Sequence, residues 1–195
     1  MNNMMENTLA ILIFAASTVV ECKLPVLLRK TWNMAKFVNA SESIWTYSTS
    51  DRRSIECKVD IKEYATATSL FFDRWLYLGR DRVHMAFEGH FFPKQEDRMA
   101  LRHAGTYFEQ LEFMLYHHEN GGCAVIRVKT NKGDGRPIYD LRVKDSYITQ
   151  GPSAKCVLKF LMYRIKEKTI YKNGCNKWLA INKSSPLLQR RRTYQ

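Results

Sequence analysis

Between Ser43 and Asp145 the chain is a succession of segments rich in β-branched and aromatic residues, each closed by a polar turn. This repeated spacing constrains the fold more than any single motif does. The segments are Ser43 to Thr49, Ile55 to Ala65, Ser69 to Leu78, Val83 to Phe92, Met99 to His103, Thr106 to Tyr116, Cys123 to Lys129 and Ile138 to Asp145. Eight such strands suffice to close an antiparallel barrel, so an all-β fold is expected. Ile55, Cys57, Val59 and Ile61 alternate with Glu56, Lys58, Asp60 and Lys62, the period-two pattern of a sheet with one face buried. In the fourth segment Val83, Met85, Phe87 and Phe91 share one face and His84, Glu88 and His90 the other. Asn131-Lys132-Gly133-Asp134-Gly135 joins the last two segments, and its glycines permit the positive dihedrals a hairpin turn needs.

The period changes at both ends. Thr31 to Val38 reads as a short helix, and after Gly151-Pro152-Ser153 the residues Val157, Phe160, Leu161 and Ile165 recur at helical spacing, with Ser153 placed to cap. One amphipathic helix following eight strands is expected to pack outside the barrel. Thr169 to Asn173 reads as a short ninth strand, and residues 176–195, with five basic residues and no acid, read as a flexible basic tail.

Leu9 to Val20 is an unbroken apolar or small-residue run, followed by Glu21 and Cys22. It is too short to span a bilayer as a helix and matches the apolar region of a secretory signal, so residues 1–22 are read as a signal peptide; a buried N-terminal helix is the alternative. No other segment approaches transmembrane length, and the expectation is a secreted, monomeric domain over residues 23–175 with no membrane partner. Loss of Glu6 and Glu21 would raise the formal charge from +12 to +14. The basic residues are mixed with acids along the chain and no reading motif is present, so nucleic acid is not the expected partner. Cys57, Cys123, Cys156 and Cys175 then imply two disulfides with three possible connectivities. No CxxC or HExxH spacing occurs, and no nucleophile elbow, phosphate loop or cofactor fingerprint, so neither metal, cofactor nor enzymatic activity is expected. His84 and His90 lie about 20 Å apart along one strand, and His117-His118 beside a turn reads as solvated.

Five motifs occur in order: Asn39-Ala40-Ser41-Glu42-Ser43-Ile44-Trp45-Thr46-Tyr47, Cys57-Lys58-Val59-Asp60, Gly122-Cys123-Ala124-Val125, Tyr139-Asp140-Leu141-Arg142-Val143-Lys144 and Ile170-Tyr171-Lys172-Asn173-Gly174-Cys175. In sequence and spacing they resemble the signatures of tick salivary lipocalins, the family that includes histamine-binding proteins. The resemblance implies an eight-stranded antiparallel lipocalin-like β-barrel with a short N-terminal helix and one C-terminal helix packed outside. It also implies that Cys57 pairs with Cys175 and Cys123 with Cys156. Loop closure would make each link worth about 3 to 5 kcal/mol. Asn39 and Asn182 head glycosylation sequons. The function implied is sequestration of a small host mediator, either a biogenic amine such as histamine or serotonin or an eicosanoid or fatty acid. The alternative is a protein-binding immune-evasion effector that inhibits complement or clotting through the barrel surface.

Amine-binding members of that family resemble one another in an acid directly after the third-from-last cysteine and a Glu-Leu-aromatic run on the next strand. Here Ala124 follows Cys123, and the second run is Asp140-Leu141-Arg142. A dehydrated ammonium needs carboxylates and aromatic faces, whereas the Ala124, Ile126 and Val128 face would make an apolar wall suited to an acyl chain. Arg74 or Arg142, if turned inward, would pair with a ligand carboxylate; otherwise each is a surface cation. Asp140 is the amine-site candidate, or else a solvated acid at a strand end. Trp45, Tyr47, Trp75, Phe87 and Tyr107 are expected to line the cavity, with Phe72, Phe91 and Phe113, or to form plain core.

Overall fold

The computed structural model describes residues 31–103, 106–107, 109–131, 135–163 and 166–177. The expected signal segment, Cys22, the tail beyond residue 177 with Asn182, the middle of the hairpin loop at 132–134, and Ile165 lie outside the described residues.

Nine strands are present among the described residues: β1 (Ile44–Thr49), β2 (Ile55–Ala65), β3 (Ser69–Leu78), β4 (Asp81–Phe91), β5 (Arg98–His103), β6 (Gln110–His118), β7 (Cys123–Thr130), β8 (Ile138–Lys144) and β9 (Lys168–Thr169). Each pairs antiparallel with the next from β2 to β8, and β1 closes the cylinder by pairing with both β8 and β2. The two-residue β9 attaches to the far half of β1 through Ser48↔Thr169 and Thr49↔Lys168. This is the closed eight-stranded antiparallel barrel expected from the strand spacing. The sixth strand starts at Gln110 and not at Thr106, because the Thr106 amide donates to His103 O at 3.0 Å and turns the chain first. The ninth is shorter than expected and stops at Thr169.

Among the described residues, α-helices at 34–38, 145–148 and 154–161 accompany the barrel. α1 (Met34–Val38) begins where Asn33 Oδ1 accepts from the Lys36 amide at 2.8 Å and buries Met34, Phe37 and Val38 in the barrel core. α2 (Asp145–Ile148), which the sequence spacing did not suggest, follows β8 directly. α3 (Ala154–Leu161) starts at Ser153, whose hydroxyl accepts from the Cys156 amide, and it buries Cys156 and Phe160 while Leu158 and Leu161 stay exposed. Gly122 carries Cys123 out of the β6–β7 turn at φ 54°, where an added Cβ would stand 2.2 Å from the Tyr147 ring. The disulfides are Cys57–Cys175 and Cys123–Cys156, spanning 118 and 33 residues.

Buried residues divide into an inner and an outer core. The inner one collects Ile44, Leu70, Phe72, Phe87, Met99, Leu101, Met114, Ala124, Ile126 and Val128 with the apolar side of α1. The outer one lies against the barrel wall under α3 and the C-terminal segment, and contains Trp45, Cys57, Val59, Cys123, Val125, Leu141, Val143, Phe160 and Tyr171. β2 departs from the alternation read in its sequence. Cys57 sits at φ 51° and the pairing with β3 slips between Glu56 and Val59. Consequently Ile55 packs with Leu76 and Ile170, while Cys57, Val59 and Ile61 join the outer core. Lys58 and Asp60 are left on the inner side.

Candidate functional site

Adjacent strands place side chains of paired residues on the same face, so the register alone brings several charges into the barrel. Asp60 on β2 lies opposite Arg74 on β3, Ala124 on β7 opposite Arg142 on β8, and Ile126 opposite Asp140. Glu112 on β6 pairs with Met99 and Val128, both members of the inner core. Arg74 Nε and Nη2 hold the two oxygens of Asp60 at 2.6 and 2.7 Å, and Nη2 also reaches Glu112 Oε1 at 3.3 Å. Arg142 grips Glu112 with two bonds of 2.7 Å and touches Asp140 Oδ2 at 3.3 Å. Lys58 Nζ donates to Asp140 Oδ2 and Thr49 Oγ1 to Asp140 Oδ1, both at 2.7 Å. Three cations and three carboxylates thus form one continuous, internally neutral network across the barrel.

Burial by itself would push all three carboxyl groups upward. Lys58 and Arg142 override it at Asp140, Arg142 and Arg74 at Glu112, and Arg74 at Asp60, so each acid is held below its ordinary value. Burial lowers Lys58, and the Asp140 carboxylate only partly restores it. For Arg142, burial is outweighed by Glu112 and the guanidinium is held more firmly protonated than usual. The three acids are therefore held in their ionised form and both guanidinium groups in their protonated form, while Lys58 stands against Asp140 at 2.7 Å.

A cavity borders this network, lined by Val38, Glu42, Ile44, Asp60, Lys62, Leu70, Phe72, Met99 and Arg142. Its free volume is about 10 Å³, close to the room a single water needs. Arg142 is 1% exposed, and its Nε is a buried donor with no acceptor.

Of the residues singled out in the sequence, the fold brings Arg74, Phe87, Asp140 and Arg142 together inside the barrel. Arg74 Cζ lies 5.1 Å from the Phe87 ring centroid. Trp45 and Tyr47 are turned to the outer side, where Trp45 Nε1 donates to Asp145 Oδ1 at 2.6 Å and both rings meet Tyr171. Trp75 is also on the outer side, stacked on His84 at 4.1 Å, with the Arg82 guanidinium 4.6 Å from its ring. Tyr107 is 95% exposed. Asn39 is exposed just after α1, its side-chain oxygen accepting from Lys62 Nζ at 2.9 Å. His117 and His118 are not free in solvent: His117 packs on Trp32 and Phe37, and His118 Nδ1 lies 2.8 Å from Ser153 Oγ. Among the described residues no cluster of His, Cys, Asp and Glu is arranged to hold a metal ion.

Lys58, Asp60 and Glu112 belong to the network but were not singled out in the sequence. A usable signal existed: Glu112 is the single Asp, Glu, Lys or Arg of β6, set among apolar residues, and such a charge facing a closed core requires a partner on a facing strand.

No family model and no curated protein matches this sequence. Solved structures do match in fold. One is the serotonin complex of AM182, 17% identical with TM-score 0.58 over 75% of this chain and 94% of that one. Another is the cockroach major allergen Per a 4, 13% identical with TM-score 0.54 over 75% of this chain and 92% of that one. The chain therefore has a lipocalin-type barrel, and at these identities the likeness is one of fold.

Proposed function

We propose that this chain is a secreted scavenger that removes a small lipid mediator, an eicosanoid or fatty acid, from a host's tissues by stoichiometric binding without turnover. The observation that carries the reading is Arg142, whose Nε lacks an acceptor and which lines a cavity walled by Val38, Ile44, Leu70, Phe72 and Met99. A buried donor left unpaired costs about 1 to 3 kcal/mol, and a carboxylate, carbonyl or hydroxyl oxygen of a guest placed there recovers it. The apolar wall suits the remainder of an acyl chain. Since the cavity now has room for about one water, a guest must displace part of its lining; Met99 is an unbranched side chain able to re-pack, and α1 bears on the same core. Two disulfides support an oxidising, extracellular setting. Among the described residues no helix is long and apolar enough to cross a membrane. The resemblance to tick salivary lipocalins supplies the biological context of saliva and host inflammation.

Two other readings each have one observation in their favour. Asp60, Glu112 and Asp140 are the carboxylates an amine guest would need, although each already holds a resident cation. The small cavity favours an effector that binds a host protein with its outer surface.

Native mass spectrometry of protein secreted from insect cells, stripped of lipid and titrated with arachidonate, a leukotriene, serotonin and histamine, tests the assignment. One lipid per chain is expected, weakened at least about tenfold in Arg142→Lys, which keeps the charge but loses the forked donor. Amine bound in place of lipid supports the second reading, and no small-molecule adduct at all supports the third.

A further inference from the structure

Arg74 is 3% exposed on the inner side of β3. Its guanidinium is held by both oxygens of Asp60 at 2.6 and 2.7 Å and by Glu112 at 3.3 Å. Its Cζ stands 5.4 Å from the Phe72 ring centroid and 5.1 Å from that of Phe87, and those rings stack on each other at 5.6 Å. Carboxylates from β2 and β6 and aromatic rings from β3 and β4 therefore enclose one planar cation. Fixed carboxylates and ring faces are what an organic cation requires to replace its hydration shell. Here the cation is part of the chain.

We propose that Arg74 is the built-in occupant of an organic-cation site bounded by Asp60, Glu112, Phe72 and Phe87, and that its side chain is what excludes amines and guanidines from the barrel. The charge balance argues the same way. Six interior charges cancel, so an incoming ammonium would leave a buried excess of positive charge unless a resident cation withdrew. Without Arg74, Glu112 would keep its two bonds to Arg142, whereas Asp60 would retain only Arg142 Nη1, at 3.7 Å. The vacated seat would thus carry one uncompensated carboxylate. It adjoins the cavity, since Asp60 and Phe72 line both. A small guanidine fits this seat better than a primary amine, because Asp60 now receives a two-pronged grip, one donor on each oxygen.

The test compares wild type with Arg74→Ala and Arg74→Met, all with disulfides formed, by calorimetric titration with methylguanidinium and with serotonin. Arg74→Ala is expected to bind one methylguanidinium at least about tenfold more tightly than wild type, with serotonin gaining less. Arg74→Met, which refills the seat with an uncharged chain, is expected to bind neither, and adding Asp60→Asn to Arg74→Ala is expected to abolish the gain. Truncation beside a buried carboxylate can also prevent folding, so thermal melting is the second readout. Millimolar methylguanidinium should raise the Tm of Arg74→Ala, or restore its folding, while sodium chloride at the same concentration should not. Wild type binding these cations as tightly as Arg74→Ala overturns the proposal, as does an Arg74→Ala protein that gains neither heat of binding nor stability. The inference rests on the barrel interior being the guest site, and lipid binding by wild type is read separately, so a failure of that reading and a failure of this one are told apart.

Discussion

Along β2, Lys58 and Asp60 face the inside of the barrel, whereas Cys57, Val59 and Ile61 face away from it under Tyr171 and the strap that ends at Cys175. The apolar side of the strand is on the outside because the outside is not solvent there. α3, the C-terminal segment and two disulfides form a second layer over β1, β2, β7 and β8, and the burial they create is as complete as that inside. The two cores are held by different physics. The outer one rests on apolar contact and covalent links, which are tolerant of direction. The inner one adds an ion network whose members are each costly to leave unpaired, so its geometry is prescribed bond by bond.

Removing the outer links should separate the two cores most sharply. Cys57→Ser with Cys175→Ser opens a link spanning 118 residues, and loop closure sets the loss at about 5 kcal/mol in urea unfolding. The 33-residue link is expected to cost about 4 kcal/mol by the same measure. Next comes Glu112→Ala, which leaves Arg142 and Arg74 without their shared acid and is expected to cost about 3 to 5 kcal/mol. If Glu112→Ala is near neutral, the inner core is not organised by its charges and the contrast fails.

Acid offers a graded version of the same test. Asp60, Glu112 and Asp140 have folded values below the ordinary 3.8, 4.5 and 3.8, so the folded state binds fewer protons there than the unfolded chain. Their contribution is therefore complete above those ordinary values and disappears as pH falls below them toward the depressed ones. Urea midpoints should hold down to about pH 5 and drop steeply below it. The drop should be shallower in a variant with the network replaced by apolar residues. The smallest effect is expected at the surface: Lys172→Ala breaks an exposed pair with Glu56 at 2.5 Å, and its change in unfolding free energy should stay within about 0.5 kcal/mol. A larger loss would mean that this pair, beside Cys175, helps to seat the outer strap.

The strand sequence of this barrel could be read before its structure because local patterns carry it. Alternation marked β2 and β4, Gly and Asn marked the hairpin after β7, and Ser153 with helical spacing marked α3; these preferences act within a few residues of one another. The disulfide pairing was available only through resemblance, since four cysteines permit three pairings and no local rule selects one.

Which side of each strand became the inside was a different matter. Period-two alternation states that two faces differ, not which one a closed barrel will enclose, and one bulged residue at Cys57 is enough to exchange them. Hence Asp60 read as a solvent-facing acid, and Trp45 and Trp75 as cavity walls, until closure by β1 and the added outer layer assigned both sides of β2 a buried environment. Whether Arg74, Glu112 and Arg142 meet depends on strands far apart in the chain lying across one barrel, a condition set by closure and register and written in no short stretch of residues.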